Sequence, residues 1–302
     1  MANVLVLLSI YNGCKYLDEQ INSILQQKNV DVHVLVRDDG STDGSCDLIA
    51  KYEGENLTLL RNANVGCSAS FMELVTYANS HFGDYEYFAF SDQDDYWMAD
   101  KMKTAVDALS RYENDKPSLY IGQYQMTDAK LNEIYTKPIK AKLTLESALI
   151  NNIATGCSMV FNKELLKVIC RYQPSYITMH DYWIYLLASS IGGNLIFDPV
   201  PHILYRQHGN NVIGGKDDSF MKKWSVRLSK IFKSSPHYVS RMVKELLHGY
   251  HTMISQDKLS LLEQVANPTL SNRLKLLFNS KLNGPTLDKT IKCKYLILTK
   301  KY

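Results

Sequence analysis

The chain has 302 residues, of which 45% are hydrophobic and 22% charged, a balance typical of a globular protein with a full hydrophobic core. Six cysteines are scattered without a C-x-x-C pair or metal-type spacing, which favours reduced thiols in a cytosolic protein over a disulfide framework. The chain runs directly into an apolar strand without the flanks of a signal peptide, and no apolar run reaches the length of a membrane span. We therefore expect a protein that is neither secreted nor membrane-spanning.

The first part of the chain is predicted to repeat strand, loop and helix. Apolar or β-branched strands are predicted at Val4 to Ile10, Val32 to Val36, Leu57 to Arg61 and Tyr87 to Phe90. Residues with helical spacing follow each of the first three strands. This alternation predicts right-handed βαβ units and an α/β fold, with a mostly parallel sheet covered by helices on both faces.

Each predicted strand ends in a polar or glycine-containing loop, and the four loops of a parallel sheet meet at one edge. These loops are Ser9 to Gly13, Asp38 to Asp43, Asn64 to Gly66 and Asp92 to Asp95. Such an edge suits a nucleotide, because glycine permits close backbone approach and helix N-termini favour phosphate. The sequence contains neither a dinucleotide fingerprint nor a P-loop, so the phosphates must be held in another way.

The loop after the fourth strand concentrates negative charge. Asp92, Asp94 and Asp95 repel one another by about 1 kcal/mol per pair in water, and by more when partly buried, so one interpretation is a divalent metal site. The other is an acidic helix start, with Asp94 or Asp95 capping a helix predicted from Met98 to Tyr112. Asp38 and Asp39 have a similar alternative, because Asp is common in turns before glycine.

A single carboxylate stands at a second position of interest, beyond a predicted strand at Leu119 to Gln123 and a predicted helix at Thr144 to Ile150. Asp181 directly precedes a strongly apolar helical run that ends at Leu187. Partial burial among aromatic residues would raise its pKa towards a value useful for a general base. The alternative is that Asp181 caps the helix.

The net charge of +3 hides a difference between the two ends of the chain. Residues 216–302 contain 17 Lys and Arg against 6 Asp and Glu, a net charge of +11, whereas residues 1–215 carry −8. Helices are predicted at 238–255, 258–265 and 270–282, after an amphipathic segment in which Phe220, Trp224, Leu228 and Ile231 alternate with basic residues. Three interpretations stay open: an anionic membrane contact, helices packed on the rest of the chain, and a nucleic-acid surface.

Four short motifs occur in the order of the predicted loops. They are Ser9-Ile10-Tyr11-Asn12-Gly13, Arg37-Asp38-Asp39-Gly40-Ser41-Thr42-Asp43, Asn64-Val65-Gly66 and Ser91-Asp92-Gln93-Asp94-Asp95-Tyr96-Trp97. Together they resemble the family-2 inverting glycosyltransferases of GT-A fold, over roughly residues 3–214. The last motif most resembles that of bacterial rhamnosyltransferases of surface polysaccharide synthesis. The resemblance implies a Rossmann-like GT-A catalytic domain over 1–215, with a nucleotide-sugar half at about 1–115 and an acceptor half at about 116–215. A basic helical region over 216–302 follows it.

The resemblance also implies roles for individual residues. Ser9 and Tyr11 match positions that contact the nucleotide base, and Asp38 matches the acid that hydrogen-bonds the pyrimidine ring. Asp181 matches the catalytic aspartate. Further donor-binding positions are implied for Asn12, Asp39, Asn64, Gly66, Ser91 and Gln93.

A metal site is implied by the same motifs. Asp92 matches the residue that contacts ribose, sugar or metal, and Asp94 matches the direct metal ligand, although the sequence run also allows Asp95 in that register. His208, in a closing Tyr-Arg-Gln-His segment, matches a histidine ligand. An oxygen-rich set with one imidazole suits Mn²⁺ or Mg²⁺.

The function implied is inverting transfer of a sugar from a nucleotide diphosphate sugar to a hydroxyl of a glycan or lipid-linked oligosaccharide. The favoured donor is dTDP-L-rhamnose, with a UDP-sugar as the second choice. One alternative is a catalytically inactive nucleotide-sugar-binding scaffold of the same fold. Another is a nucleotidyltransferase, which lacks support because no basic glycine-rich loop lies near the N-terminus. We expect a cytoplasmic location, peripheral contact of residues 216–302 with the inner face of the cell membrane, and no nucleic-acid partner.

Overall fold

One eight-stranded sheet organises the computed structural model, which describes residues 1–113, 115–136, 138–208 and 237–302. The strands are β1 (Ala2–Ile10), β2 (Val30–Asp38), β3 (Leu57–Arg61), β4 (Tyr87–Ser91), β5 (Tyr96–Trp97), β6 (Ser118–Thr127), β7 (Met159–Asn162) and β8 (Asn194–Arg206). Their order across the sheet is β3-β2-β1-β4-β7-β6-β8-β5. The sheet is therefore a single surface shared by both halves of the predicted catalytic domain.

Helices surround this sheet and continue beyond it. Those of the first part are α1 (Cys14–Leu25), α2 (Ser45–Ala50), α3 (Cys67–His81), α4 (Lys101–Leu109), α5 (Leu145–Ile150), α6 (Lys163–Ile169) and α7 (His180–Ser190). Those of the C-terminal part are α8 (Tyr238–Tyr250), α9 (Gln256–Ala266), α10 (Leu270–Phe278) and α11 (Leu287–Leu298). Short 3-10 turns at Gly156–Ser158 and His251–Met253 complete the described elements.

The predicted βαβ units are confirmed for the first four strands. β1 pairs in parallel with β2 and with β4, so that Leu7 lies opposite Leu35 on one side and Phe90 on the other. β2 pairs in parallel with β3. The second half is mixed, because β7 runs antiparallel to both β4 and β6, while β6 and β8 are parallel. The parallel part brings the ends of β1, β2 and β4 to one edge.

Helices cover both faces of the sheet because the central strands are apolar on both sides. Leu5 and Leu7 pack into one core with residues of α3 and α7. Val4 and Val6 point the opposite way and pack with residues of α1 and α4. A strand with this alternation needs apolar layers above and below it, which fixes β1 in the middle of a three-layer structure.

The acidic-helix-start interpretation of the loop after β4 is wrong. The chain forms the short strand β5 there, with Tyr96 and Trp97 pairing antiparallel to Leu204 and Ile203 of β8. Helix α4 begins only at Lys101, three residues later than predicted, so neither Asp94 nor Asp95 lies at its N-cap. The carboxylates therefore have another structural explanation.

The C-terminal helices α8 to α11 pack on the middle of the chain. Val239, Leu246 and Leu296 belong to the same hydrophobic core as Leu145 and Trp183. These helices therefore pack on the rest of the chain, which was one of the three interpretations. The domain boundary at 215 stays a prediction. The amphipathic segment that contains Trp224 lies outside the described residues. None of the described helices combines the length and apolar character needed to cross a membrane.

Candidate active site

A cleft of about 380 Å³ lies at the carboxyl edge of the parallel strands. Nine of the thirteen predicted site residues line it: Ser9, Tyr11, Asp39, Asn64, Gly66, Asp92, Gln93, Asp94 and Asp181. The other four, Asn12, Asp38, Ser91 and His208, contact the loops that form it. The edge predicted from the strand order thus gathers most of the predicted side chains in one place.

The side chain of Gln93 joins the loop after β1 to the loop after β4. Its Oε1 accepts a hydrogen bond from the backbone N–H of Tyr11 at 2.8 Å, and its Nε2 donates to the Tyr11 carbonyl at 3.1 Å. Gly13 allows this approach, because a Cβ at that position would lie 2.2 Å from Gln93 Oε1. The half-exposed Tyr11 ring is consequently held at the cleft by its own backbone.

Asn12 and Asp38 stabilise the loop after β2. Asn12 adopts a positive φ of 49°, and its Oδ1 accepts a hydrogen bond from Thr42 N at 2.8 Å. The buried Asp38 carboxylate accepts the N–H of Ser41 at 3.2 Å and is not among the residues that line the cleft. The turn interpretation of Asp38 matches this geometry. Its role in pyrimidine binding stays a prediction.

Asp39 holds the loop after β3 in place. It forms a buried ion pair with Arg37, and its two carboxylate oxygens accept the N–H groups of Val65 and Gly66, each at 2.9 Å. Gly66 has φ +85°, a conformation that L side chains rarely adopt. Arg37 was missed as a site residue, although a charged residue inside an apolar strand is a signal that it has a buried partner.

The carboxylates of the loop after β4 lie close together, with Asp92 half-buried and Asp95 fully buried. Burial, reinforced by Asp94 and Asp181, raises the pKa of Asp92 to about 7. Burial, reinforced by Asp92 and Asp94, also raises the pKa of Asp95 well above its ordinary value. Ser91 supports the loop from behind, accepting from Gln20 Nε2 at 2.8 Å and donating to the Asp92 carbonyl at 2.9 Å.

Asp94, which lines the cleft, contacts His208 from a distant part of the chain. Asp94 Oδ2 lies 2.8 Å from His208 Nε2, and His208 follows the end of β8 by two residues. The Asp95 carboxylate instead turns inward, is fully buried and accepts the backbone N–H of Arg206 at 3.1 Å. The sequence left open whether Asp94 or Asp95 is the direct metal ligand, and of these two residues Asp94 lines the cleft.

The residues at this position fit a divalent cation. An oxygen of Asp94 and a nitrogen of His208 are adjacent, and Asp92 lines the same cleft. Among the described residues, ligand atoms of Asp92, Asp95 and Cys157 also lie within 4.8 Å of one another. However, burial raises the pKa of the Cys157 thiol well above its ordinary value, and a protonated thiol is a poor ligand for Mg²⁺ or Mn²⁺. By the chemistry of their ligand atoms, Asp92, Asp94 and His208 match the hard, oxygen-rich preference of these ions better. Among the described residues these three do not form a group with all ligand atoms within 4.8 Å, and the close contact is the one between Asp94 and His208.

Arg206, which sequence reasoning missed, supports this set. Its guanidinium donates to the backbone carbonyls of Asp94 at 2.8 Å and Ala129 at 2.7 Å, and it pairs with Glu19. The buried guanidinium also lies over the ring of Tyr16 at 4.5 Å. Arg206 thus ties the acidic loop, β8 and α1 together directly behind the Asp94 carboxylate.

Asp181 reaches the cleft from the first turn of α7. The N-cap position is Met179, so the capping interpretation of Asp181 is wrong. Its carboxylate accepts hydrogen bonds from Gly156 N at 3.1 Å and Asn152 Nδ2 at 3.2 Å. Burial raises its pKa to about 6, and these hydrogen bonds oppose the shift. The chain therefore places a buried, oriented carboxylate opposite the acidic loop.

His180 is a second residue that the sequence analysis missed. It lines the cleft, stacks on Phe71 with ring centroids 4.1 Å apart, and neither ring nitrogen has a hydrogen-bond partner among the described residues. Burial lowers its pKa to about 3, so the imidazole is neutral and able to donate or accept a hydrogen bond. Its position directly before Asp181 was the available sequence signal.

The parallel edge and the acidic loop at the end of β4 match the GT-A fold of glycosyltransferases. Solved structures agree at the level of the fold. Residues 1–349 of TarS from S. aureus, in complex with UDP-GlcNAc, align with a TM-score of 0.57 at 15% identity, over 100% of this chain and 93% of that chain. A mannosyltransferase from Pyrobaculum calidifontis, in complex with GDP-Man and Mn²⁺, aligns with a TM-score of 0.52 at 16% identity, over 99% and 86%.

The sequence comparisons identify the family. Residues 5–170 match the model of glycosyl transferase family 2, and the chain belongs to that family. A dTDP-rhamnosyl transferase of Shigella flexneri is 30% identical over 229 residues, which cover 72% of this chain and 76% of the relative. An uncharacterized glycosyltransferase of Rickettsia typhi is 27% identical over 241 residues, covering 76% and 73%.

Proposed function

We propose that this protein is an inverting glycosyltransferase that moves a sugar, favoured to be L-rhamnose from dTDP-L-rhamnose, to a hydroxyl of a glycan or lipid-linked oligosaccharide. The identity to a dTDP-rhamnosyl transferase supports this donor, and a UDP-sugar is the second choice. The observation that carries the proposal is the position of Asp181. This buried carboxylate shares one cleft with Asp92 and Asp94, which belong to the acidic loop.

Asp181 is the proposed general base. It takes the proton from the acceptor hydroxyl while that oxygen forms a bond to the anomeric carbon. The bond between the anomeric carbon and the diphosphate oxygen breaks on the opposite side of the sugar, and the nucleoside diphosphate leaves with both bonding electrons. Gly156 N–H and the Asn152 amide hold the carboxylate in one orientation for this step.

Asp94 and His208, with Asp92 beside them, are the proposed ligands of a Mn²⁺ or Mg²⁺ ion. Such an ion, when bound, supplies charge neutralisation for the leaving diphosphate. The chain's own contribution is to hold Asp92, Asp94 and Asp95 close together, so that a cation would relieve the repulsion that helps to raise the pKa values of Asp92 and Asp95. Gln93 and Asp39 then fix the neighbouring loops around the donor.

A groove between α3 and residues 173–179 is the proposed path for the acceptor. Gly66, Cys67 and Met179 line both this groove and the cleft, so the two spaces are continuous. Tyr77 and Tyr176 also line the groove. An elongated acceptor lying there would end near Asp181, which is where the proposed base needs its hydroxyl.

The experiment that tests the proposal is a panel of nucleotide sugars incubated with Mn²⁺ and analysed for released nucleoside diphosphate. We expect release of dTDP from dTDP-L-rhamnose and its loss with a chelator. Asp181→Asn should lower turnover by about 10² to 10⁴, the usual contribution of a general base, while donor affinity stays nearly unchanged. Asp107→Asn is the matched control, because Asp107 is a half-exposed carboxylate on the surface of α4.

Three results would contradict the proposal. Donor binding without any turnover by the wild type would support the inactive, nucleotide-sugar-binding alternative. Loss of donor binding together with turnover in Asp181→Asn would make Asp181 a structural residue. Release of pyrophosphate instead of nucleoside diphosphate would indicate a nucleotidyltransferase.

The proposed place of action is the cytoplasmic face of the cell membrane, where lipid-linked acceptors are exposed. Residues 216–302 carry a net charge of +11, and basic residues near an anionic surface each contribute about 1 kcal/mol. The amphipathic segment with Phe220, Trp224, Leu228 and Ile231 was the expected contact. Contact through the basic groups Lys222, Lys223, Arg227 and Lys230 stays part of this proposal.

A further inference from the structure

Exposed apolar side chains are concentrated on the last two helices. Among the described residues, thirteen large hydrophobic side chains are exposed, and six of them lie between positions 270 and 298. These six are Leu270, Leu274, Phe278, Leu287, Ile291 and Leu298, with exposed fractions from 46% to 84%. Single exposed apolar residues are ordinary, but such a concentration marks an interaction surface.

The six residues form stripes along α10 and α11. Leu270, Leu274 and Phe278 recur every four residues, which places them on one side of α10. Leu287, Ile291 and Leu298 share one side of α11 in the same way. We call these six residues the outer helix face.

The opposite sides of both helices are anchored in the same core. Leu276 of α10 and Leu296 of α11 are almost fully buried and belong to one hydrophobic cluster. The two helices contact each other, and Arg273 Nε donates to the Ile297 carbonyl at 2.9 Å. Because the buried sides point into one core, both stripes lie on the outside of a single, supported helix pair.

Positive charge surrounds the outer helix face. Residues 270–302 contain eight Lys and Arg and one Asp, a net charge of +7. Lys275, Lys281 and Lys300 are exposed, and Lys294 lies three residues after Ile291, on the same side of α11. The surface therefore combines exposed apolar groups with a strongly basic border.

Exposed apolar groups with a basic border favour one kind of binding partner for the outer helix face. A second copy bound by two-fold symmetry would place the same basic border against itself, which like charges oppose. An anionic bilayer offers both complements at once, negative headgroups for the lysines and an apolar interior for the leucines and Phe278. Charge complementarity thus favours a lipid surface over another copy of this chain.

We propose that the outer helix face docks on an anionic bilayer, with α10 and α11 lying in the plane of the headgroups and their apolar stripes inserted. This inference rests on the membrane contact of the proposed function and adds the site and the mode of contact to it. It assigns the insertion to 270–298 and not to the amphipathic segment around Trp224. The catalytic cleft takes no part in it.

The test is sedimentation with vesicles of phosphatidylcholine alone and of phosphatidylcholine with about one third phosphatidylglycerol. The full chain should bind the anionic vesicles, and more weakly at high salt because electrostatic attraction is screened within about 8 Å at physiological ionic strength. A variant with Leu274→Ser, Phe278→Ser and Ile291→Ser should bind about 100-fold more weakly, because three apolar side chains no longer insert. Turnover of a nucleotide sugar is not needed for this readout.

The matched control removes apolar groups elsewhere. Tyr135→Ser with Val200→Ser changes side chains that are exposed to 82% and 55% and lie far from the C-terminal helices in the chain. This control should bind like the wild type. A second variant, Lys275→Gln with Lys281→Gln and Lys300→Gln, should bind more weakly and depend less on salt than the wild type. Circular dichroism and solution turnover should match the wild type in all three variants, because none of these residues lies in the cleft.

The outcomes separate this inference from the proposed function. If the triple serine variant binds as well as the wild type, the inference is wrong. The membrane contact of the proposed function then stands only if binding is lost in a variant that changes four basic groups to Gln, namely Lys222, Lys223, Arg227 and Lys230. If the wild type ignores anionic vesicles, both membrane statements fall, whereas donor turnover tests the catalytic proposal by itself. A change from dimer to monomer in the serine variant, measured by light scattering, would identify a second copy as the occupant and overturn the inference.

Discussion

The cleft and the outer helix face differ in which side chains are buried and which are exposed. Around the cleft, charged side chains such as Arg37, Asp39 and Arg206 are almost fully buried and joined to backbone groups of neighbouring loops. On the outer helix face, Phe278 and Leu270 are exposed while lysines surround them. Buried polar networks fix one geometry, as recognition of a particular donor requires. Exposed apolar stripes suit a surface that has no fixed geometry.

The buried ion pair behind the cleft is the place where this comparison predicts the largest effect. Asp39→Ala leaves Arg37 buried without its main partner and frees two loop N–H groups, so it should lower the free energy of unfolding by about 3–5 kcal/mol. Glu73 supplies the other carboxylate near Arg37, and its side chain is 47% exposed. Glu73→Ala should therefore lower the free energy of unfolding by less than about 1 kcal/mol. Urea denaturation of both variants checks this. Equal losses of unfolding free energy in the two variants would mean that burial does not decide how much each carboxylate stabilises the protein.

The two sides of helix α10 provide a second comparison, inside the C-terminal region. Leu276→Ala removes a side chain that is 1% exposed and should lower the free energy of unfolding by about 2–4 kcal/mol. Leu274→Ala, on the outer helix face, should change it by less than about 0.5 kcal/mol. Thermal or urea unfolding measures both values. A large loss for Leu274→Ala would show that something covers this face in the protein alone.

A third prediction concerns the buried Arg206, which holds the backbone next to the proposed metal ligand Asp94. Arg206→Lys cannot reproduce contacts to the Asp94 carbonyl, the Ala129 carbonyl and Glu19, because a lysine has one ammonium group in place of a planar fork. We expect affinity for Mn²⁺, titrated with the nucleotide sugar present, to fall by about 10- to 100-fold. Arg61→Lys, in an exposed ion pair with Glu53, serves as the control. Unchanged Mn²⁺ affinity in Arg206→Lys would remove its positioning role.

The smallest predicted effect is the pH dependence of turnover. A base must be ionised, and burial raises the pKa of Asp181 to about 6, so the active carboxylate form is populated above that pH. Turnover should therefore rise about tenfold between pH 5 and pH 7 and then level off. Asn152→Ala, which removes one hydrogen bond to the carboxylate, should move the midpoint upward. A flat profile over this range would contradict the role of Asp181 as base.

Much of the carboxyl edge of the parallel strands was predictable because its signals are local. A β-branched or apolar run followed by a Gly-containing polar loop identifies a strand and its carboxyl end, as the agreement for β1 and β3 illustrates. The parallel arrangement then places those loops at one edge without further information. Asp92 and Asp94 were predicted for this reason and from their resemblance to family motifs. Asp181 was predicted from its place before an apolar helical run and from the same resemblance.

Residues whose role depends on partners far along the chain were harder to predict. Gly156 and Asn152 orient Asp181 from 25 and 29 positions away, and no local pattern indicates that pairing. The same holds for the pairing of Tyr96 and Trp97 with β8, which replaced a predicted helix start. Helix α11 was not predicted separately at all, because its apolar residues occupy both its buried and its exposed side.

The sequence by itself determined the order of the βαβ units, the edge at which the predicted site residues gather and the basic character of the C-terminal region, because strand periodicity, loop composition and charge are properties of short segments. Only the tertiary structure decided that Asp94 faces the cleft while Asp95 turns inward to the backbone of Arg206. It also decided which side of α10 and α11 is buried. These choices depend on which distant surfaces meet, and burial is a property of the assembled core that no single segment carries.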